Sequence, residues 1–563
     1  MAIIKTGKGA KTLFTNGRIF QSGVKPGINP SRDQEPTFAD SLIVQDSLIS
    51  FVGSKDAPAV ADALAPGNDT TVIDLAGKTL LPSFIDGHMH LMLLGQSLQK
   101  LDLGHCKSLA DIRALVREYA AANPSLPRIL CRGWMHIMTP DGVSVRDLDD
   151  LDSKNRPILI DTKDLHSCWV NTAAIDEMGA RNWPDVPGGT IERDAEGNLT
   201  GVFSEAANIT YIWPYLASVA TMKERTDAIR AAVIAYHAEG YTGLTDMAMD
   251  EGAWEALLAL REEEAKKGGT GLAMRIAVYW LVKPGKTEEE NLRQVDRAAE
   301  LAAKYNAKTS PDCRVVGIKV ICDGIIDACT AGLTEPYSTG VTTDPLWTAA
   351  QLGPVVRRAD EYGLQIALHA IGDATIRLAA DALEAHASPT RRPRMEHIEL
   401  PDPADARRLG KLGITASVQP VHCDPAILRA WPRLLGPHRC GHAFPYRVLS
   451  DHGAPLALGS DSPTAPYAPL GNVYVGTTRF SYREPELKEA VNPQYALGLC
   501  EAVAAATQGV AYSCFDEDRT GSLAEGLKAD LVVVDMKWDK EETLHAKVKQ
   551  TWFDGEKVWE SDA

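Results

Sequence analysis

Leu81-Pro82-Ser83-Phe84-Ile85-Asp86-Gly87-His88-Met89-His90 is an apolar run, stopped by Asp86-Gly87, with histidines at i and i+2. The run reads as a short buried strand. Alternate side chains of an extended chain share one face, so His88 and His90 aim at one point beyond its C-terminal end. Two neutral imidazoles converging there suit a transition metal such as Zn²⁺. The competing reading, two polar residues in a surface turn, is weighed against the rest of the chain.

Outward from that stretch the chain alternates. Apolar strands over Val315 to Cys322, Leu364 to His369, Ile414 to Val418 and Pro455 to Gly459 are separated by helical stretches. Helical periodicity is read over Ala374 to His386 and over Gln494 to Ala506. This order predicts a parallel sheet, and at 563 residues an α/β fold built on a (β/α)₈ TIM barrel, with an open doubly wound sheet as the alternative. Both ends are strand-rich, at Thr12–Gly17, Ser41–Val44, Ile49–Gly53 and Thr71–Leu75, and again at Asp530–Asp535 and Val548–Gly555. They predict one composite β-sandwich domain from 1–80 plus 513–563, leaving 81–512 for the barrel. Residues from about 110 to 221 exceed one βα unit and are read as an insertion near the barrel mouth.

Composition limits the function. The balance of 58 basic to 75 acidic residues, a net charge of −17, argues against a nucleic-acid or anionic-membrane surface. Ten cysteines without a C-x-x-C pair point to a reducing compartment. The first residues lack the apolar core of a secretory signal and no run has the length of a membrane span, so a cytoplasmic protein is expected.

Polar residues recur at the predicted strand ends, where a barrel gathers its catalytic groups: His88, His90, Lys319, His369, His397 and Asp461. Lys319 sits among β-branched residues, where burying an ammonium is costly. A depressed pKa, a neighbouring anion, or capture of CO₂ as a carbamate would each resolve the cost. So would a buried stem with its head in solvent. Arg132-Gly133-Trp134 and His166-Ser167-Cys168-Trp169 are candidate pocket stretches, so Trp134, His166 and Trp169 are candidate substrate contacts, with packing as the alternative for the indoles. His422 follows another strand and is a further candidate. Tyr211, Trp213 and Tyr215, at alternating positions, read as core.

Taken in order, the 81–90 stretch, Gly317-Ile318-Lys319-Val320 with Asp323-Gly324, Leu368-His369-Ala370-Ile371-Gly372-Asp373, Glu396-His397, Gly459-Ser460-Asp461-Ser462-Pro463 and Gly521-Ser522-Leu523-Ala524-Glu525-Gly526-Leu527-Lys528-Ala529-Asp530-Leu531 resemble the amidohydrolase superfamily, in its amidohydrolase-3 (YtcJ-like) branch, which includes N-substituted formamide deformylases. The resemblance implies one or two Zn²⁺ ions, two being expected. They are held by His88, His90, a carbamate on Lys319, His369, His397 and Asp461, with Asp461 also catalytic. It implies hydrolysis of an amide C–N bond by a metal-activated hydroxide, on a small, apolar or aromatic amide such as an N-substituted formamide, and allows a homodimer. Ester or lactone hydrolysis, deamination and decarboxylation are alternatives on the same centre, and a non-catalytic metal- or ligand-binding protein is the alternative of another class. Ile325-Ile326-Asp327-Ala328-Cys329 departs from the Ser-Leu-Gly-Ser-Arg-like stretch of that branch.

Overall fold

A computed structural model describes residues 10–163, 167–186, 189–268 and 271–562. Eight parallel strands form its central sheet: Phe84–Met89 (β1), Tyr241–Met249 (β2), Arg275–Val282 (β3), Cys313–Ile321 (β4), Gln365–Ala370 (β5), Arg394–His397 (β6), Thr415–Val418 (β7) and Leu456–Leu458 (β8). They pair in sequence order, with β1 and β8 at the two ends of the ladder. Those ends meet. Asp461 N–H donates to the His88 carbonyl at 2.7 Å. A Cβ on Gly459 would lie 2.4 Å from His88 N, and one on Gly87 2.7 Å from Leu458 O, so only glycine admits this approach. The result is a nearly closed α/β barrel.

Period-two alternation carries one row of side chains inward. Met247, Tyr279 and Ala367 form an interior cluster. Lys319 pairs with Ala367, His369 with Glu396, and Glu396 with Ser417, which puts all of them on that inner face. The interior also holds a polar layer. Arg394 donates to Glu396 (2.9 Å), the Gly87 carbonyl (2.6 Å), Ser417 (2.8 Å) and Ser513 (2.7 Å).

The decisive stretch is two strands rather than one. Thr79–Pro82 joins a six-stranded sheet in which it pairs with Leu531–Asp535, and the chain passes at Ser83 into β1. Ser83 N–H bonds to the Asp530 carbonyl at 3.0 Å, so the backbone changes partners there. The six-stranded sheet takes strands from both chain ends. A four-stranded sheet holds Lys11–Thr15, Ser41–Gln45, Leu48–Gly53 and Thr70–Asp74. Phe14, Leu42 and Ile49 of the second sheet and Ile19, Leu80, Val533 and Trp552 of the first share one core.

Of the two stretches read as helical, one follows its periodicity and one does not. Asp373–His386 is helical, but Gln494–Ala506 is not one helix: a 3₁₀ turn at Pro493–Tyr495 precedes a helix over Leu499–Ala505. Gly498 starts that helix, and its Cα packs so tightly that a Cβ would lie 2.1 Å from the Arg32 carbonyl oxygen. Among the described residues no helix is long and apolar enough to cross a membrane. All ten cysteines are unpaired.

Met92–Ala232 forms a compact unit of its own around a six-stranded mixed sheet. Trp134 and Trp169 lie inside it, ring centroids 5.4 Å apart, their N–H groups donated to Thr139 Oγ1 and the Ser144 carbonyl. Of the three aromatic residues read as core, Tyr211 and Tyr215 are half-buried and pack against the core of this unit, whereas Trp213 does not. They fall on a π turn and the following helix, where alternate residues diverge: Tyr211 stacks on Trp183, Trp213 is exposed and Tyr215 pairs with Glu177. His166 lies outside the described residues.

Candidate metal centre

His88 ends β1 on the inner face, and its Nδ1 lies 2.7 Å from Glu396 Oε2. A carboxylate only accepts, so Nδ1 carries the proton and Nε2 keeps a lone pair. Burial, then the charge of Lys319, pushes the imidazole down to about 3, leaving it neutral, the form that binds a metal. Glu396 stays ionised although burial alone would raise it, because Arg394 and His88 hold it low. Both members of the Arg394–Glu396 pair are fully buried. Glu396→Gln leaves the guanidinium without its counter-charge and is expected to destabilise the metal-free protein by ~3–5 kcal/mol, read by urea denaturation.

Asp461 follows β8 with a left-handed φ of +57°. Its Oδ1 is 3.0 Å from His90 Nε2 and 3.5 Å from His88 Nε2. Burial would raise this carboxyl, but the His90 hydrogen bond and the charges of His88 and His397 hold it well below the usual range. Asp86 braces the seam beneath it. The carboxylate accepts from His88 N–H (3.1 Å), Ser460 N–H (2.9 Å), Ser460 Oγ (2.6 Å) and the Tyr236 hydroxyl (2.8 Å), locking the ends of β1 and β8 together.

Across the mouth stand His369 and His397, ring centroids 4.3 Å apart, with His397 4.8 Å from His88. His369 Nε2 and His397 Nδ1 are buried without a hydrogen-bond partner. His369 Nε2 lies 3.4 Å from Asp323 Oδ1 but is not aligned for a bond; Asp323 instead caps the backbone N–H groups of Ile371 (3.0 Å), Gly372 (2.9 Å) and Gly332 (3.1 Å). Buried polar atoms are nearly always paired, so two orphaned imidazole nitrogens beside a neutral histidine and an ionised aspartate fit a cation. The ligand atoms of His88, His90 and Asp461 all fall within 4.8 Å of one another. Two ligands ~2.1 Å from one ion stand ~3.4 Å apart in tetrahedral geometry, which those contacts match.

Lys319 is buried on the same inner face. Burial lowers its amine to about 8, against the opposing pull of Glu396 and Asp461, and its charge acts on His88 and His397. A fraction of the amine is therefore already neutral near neutral pH, and most of it a unit above 8. His422 Nε2 lies 3.5 Å from Asp461 Oδ2, and its Nδ1 lies 3.0 Å from Glu399 Oε1. The departing loop turns inward at Ile326, which is buried, while Asp327 accepts from Trp431 Nε1 at 3.1 Å.

Sequence reasoning left Glu399, Arg394 and Asp86 without roles and Glu396 as part of a motif only. The available signal was local: charged residues in buried strand contexts (Arg394-Met395-Glu396, Ile398-Glu399-Leu400) that demand partners.

A model of the amidohydrolase family (Amidohydro_3) matches residues 71–559. The chain is 27% identical over 539 residues to a putative amidohydrolase, YtcJ, of Bacillus subtilis, covering 94% of this chain and 97% of that one. It is 24% identical to an N-substituted formamide deformylase of Arthrobacter pascens, covering 89% and 91%. Its fold matches an uncharacterized metal-dependent hydrolase from Pyrococcus furiosus with a TM-score of 0.75, at 24% identity over 94% of this chain and 100% of that one. With the matched model spanning all eight barrel strands and the C-terminal strands, this chain belongs to the amidohydrolase family and is a hydrolase acting on carbon–nitrogen bonds.

Proposed function

We propose that the centre cleaves the C–N bond of a small amide, with N-substituted formamides as the first class to test. The observation that carries this reading is Asp461, kept ionised with Oδ1 against His88 and His90 and Oδ2 toward His422. His88, His90, His369, His397, Asp461 and a carbamate on Lys319 would hold two zinc ions. Zinc bound there supplies Lewis acidity and a water of lowered pKa. Asp461 accepts a proton from the attacking water and delivers it to the departing nitrogen, the general acid–base task of a carboxylate. The orphaned nitrogens of His369 and His397 support the ligand assignment.

Lys319 reaches the carbamate by attack of its neutral amine on CO₂, which forms an N–C bond and releases one proton. Its burial and lowered pKa support that assignment. His422 is the substrate contact in this reading, while Trp134 and Trp169, enclosed with bonded N–H groups, serve packing. The formamide class rests on the name of the Arthrobacter relative. The shared core of the two outer sheets supports a composite β-sandwich domain of 1–80 with 513–563, around a barrel over 81–512.

The test is a panel of N-alkyl and N-benzyl formamides, with simple amides beside them, given to zinc-loaded protein. Amine and formate are expected in equal amounts. Stoichiometric zinc with no amine released from any member would end this reading.

A further inference from the structure

Strand β6 ends at His397, and the two carboxylates of Glu396-His397-Ile398-Glu399, one in the strand and one just past it, are used alike. Glu396 takes the Nδ1 proton of His88 at 2.7 Å; Glu399 takes that of His422 at 3.0 Å. Each imidazole then turns Nε2 toward Asp461, and both separations are 3.5 Å, His88 to Oδ1 and His422 to Oδ2. Oδ1 is also the oxygen 3.0 Å from His90. One oxygen of Asp461 thus faces the ligand side, and the other faces only His422 among these imidazoles.

The holding group is rigid. Glu399 is buried, and its carbonyl accepts the Phe444 N–H at 2.6 Å. His397 and Ile398, just before it, take left-handed φ of +75° and +52°, which turns the chain so that Glu399 leaves the strand toward β7. His422 sits on the 3₁₀ turn Pro420–Cys423, its N–H bonded to the Gln419 carbonyl at 2.9 Å, and its ring lies parallel to His397, 7° apart in plane and 5.8 Å between centroids. The side chain of His422 keeps some exposure, so Nε2 is reachable.

We infer that Glu399 is a positioning residue: by holding Nδ1 of His422 it presents Nε2 to Asp461 Oδ2 and so fixes the oxygen through which Asp461 handles the proton. This rests on the hydrolytic role given to Asp461 above. The competing use of the same atoms is a further cation site, since ligand atoms of His397, Glu399 and His422 fall within 4.8 Å of one another.

The experiment compares Glu399→Ala, Glu399→Gln, His422→Asn and the double variant Glu399→Ala/His422→Asn, each zinc-loaded, by kcat, KM, metal content and crystal structure. Glu399→Ala is expected to lower kcat ~10–100-fold, the usual cost of losing a group that orients a site histidine, with KM little changed and metal content equal to wild type. Glu399→Gln retains an acceptor for Nδ1 and restores most of kcat. The double variant is no worse than His422→Asn alone, because both changes remove one arrangement. Loss of metal in Glu399→Ala, or additive losses in the double variant, would overturn the inference. The crystal structure decides independently of turnover. A turned His422 ring with a lengthened Nε2–Oδ2 separation in Glu399→Ala supports positioning, and an unmoved ring refutes it. If no amide is cleaved even by wild type, the hydrolytic reading fails while the structural arm still reports on Glu399.

Discussion

Asp461→Asn is expected to keep its metal and to lower kcat by about 10²–10⁴-fold, the range that general acid–base catalysis contributes. The amide oxygen of asparagine can still face His88 and His90, so the ligand side of the residue survives. A neutral carboxamide has no site for the proton, so the step proposed for Asp461 would be lost. The opposing forces in the wild type make the effect large. Burial would raise this carboxyl, and only the surrounding imidazoles keep it ionised. The check is kcat and zinc content on the same preparation. Turnover near wild type in the metal-loaded variant removes Asp461 from proton transfer.

Lys319→Met is expected to lose zinc and to lower activity more than ~100-fold, since groups that merely orient ligands already cost 10–100-fold. Methionine fills a similar volume, so the barrel interior is kept and the effect falls on the site. The amine titrates near 8 because burial disfavours its charge, and that predicts a pH signature. Its neutral fraction rises from roughly a tenth at pH 7 to nine-tenths at pH 9, so metal-free protein should take up ¹³C-labelled CO₂ several-fold faster at the higher pH. A carbamate carbon signal is expected in the wild type and absent in Lys319→Met. Equal signals in both would place the carbamate elsewhere. The same shift weakens the metal-free fold. Below pH 8 both states hold this proton and the folded one must bury its charge, so the penalty is fully present there. It fades as pH rises from 8, where the folded amine loses the proton first, and is gone above 10.5, where both states are neutral.

The reading of His88, His90, Lys319 and Asp461 as site candidates depended on local pattern. Each stands at a strand end or inside an apolar run, where period two predicts which face it takes and burial makes its charge conspicuous. Other features were illegible for a physical reason. The Glu396–His88 bond joins residues 308 apart, Asp86 meets Ser460 across 374, and Arg394 reaches the Gly87 carbonyl across 307. No short-range periodicity encodes such pairings. The split of the 81–90 run at Ser83 is likewise decided by which strands lie beside it, since Leu81-Pro82 and Phe84-Ile85 flank Ser83 with apolar residues on both sides.

Alternating apolar strands, breaking glycines and misplaced polar residues by themselves determined a barrel of parallel strands with chemistry at one rim. Tertiary structure alone decided which carboxylate holds which imidazole, that Trp134 and Trp169 are enclosed, and that the helix before Ala506 begins only at Leu499. Local pattern sets what a side chain prefers; only closure of the barrel brings together partners hundreds of residues apart, and their mutual burial sets charge, tautomer and direction.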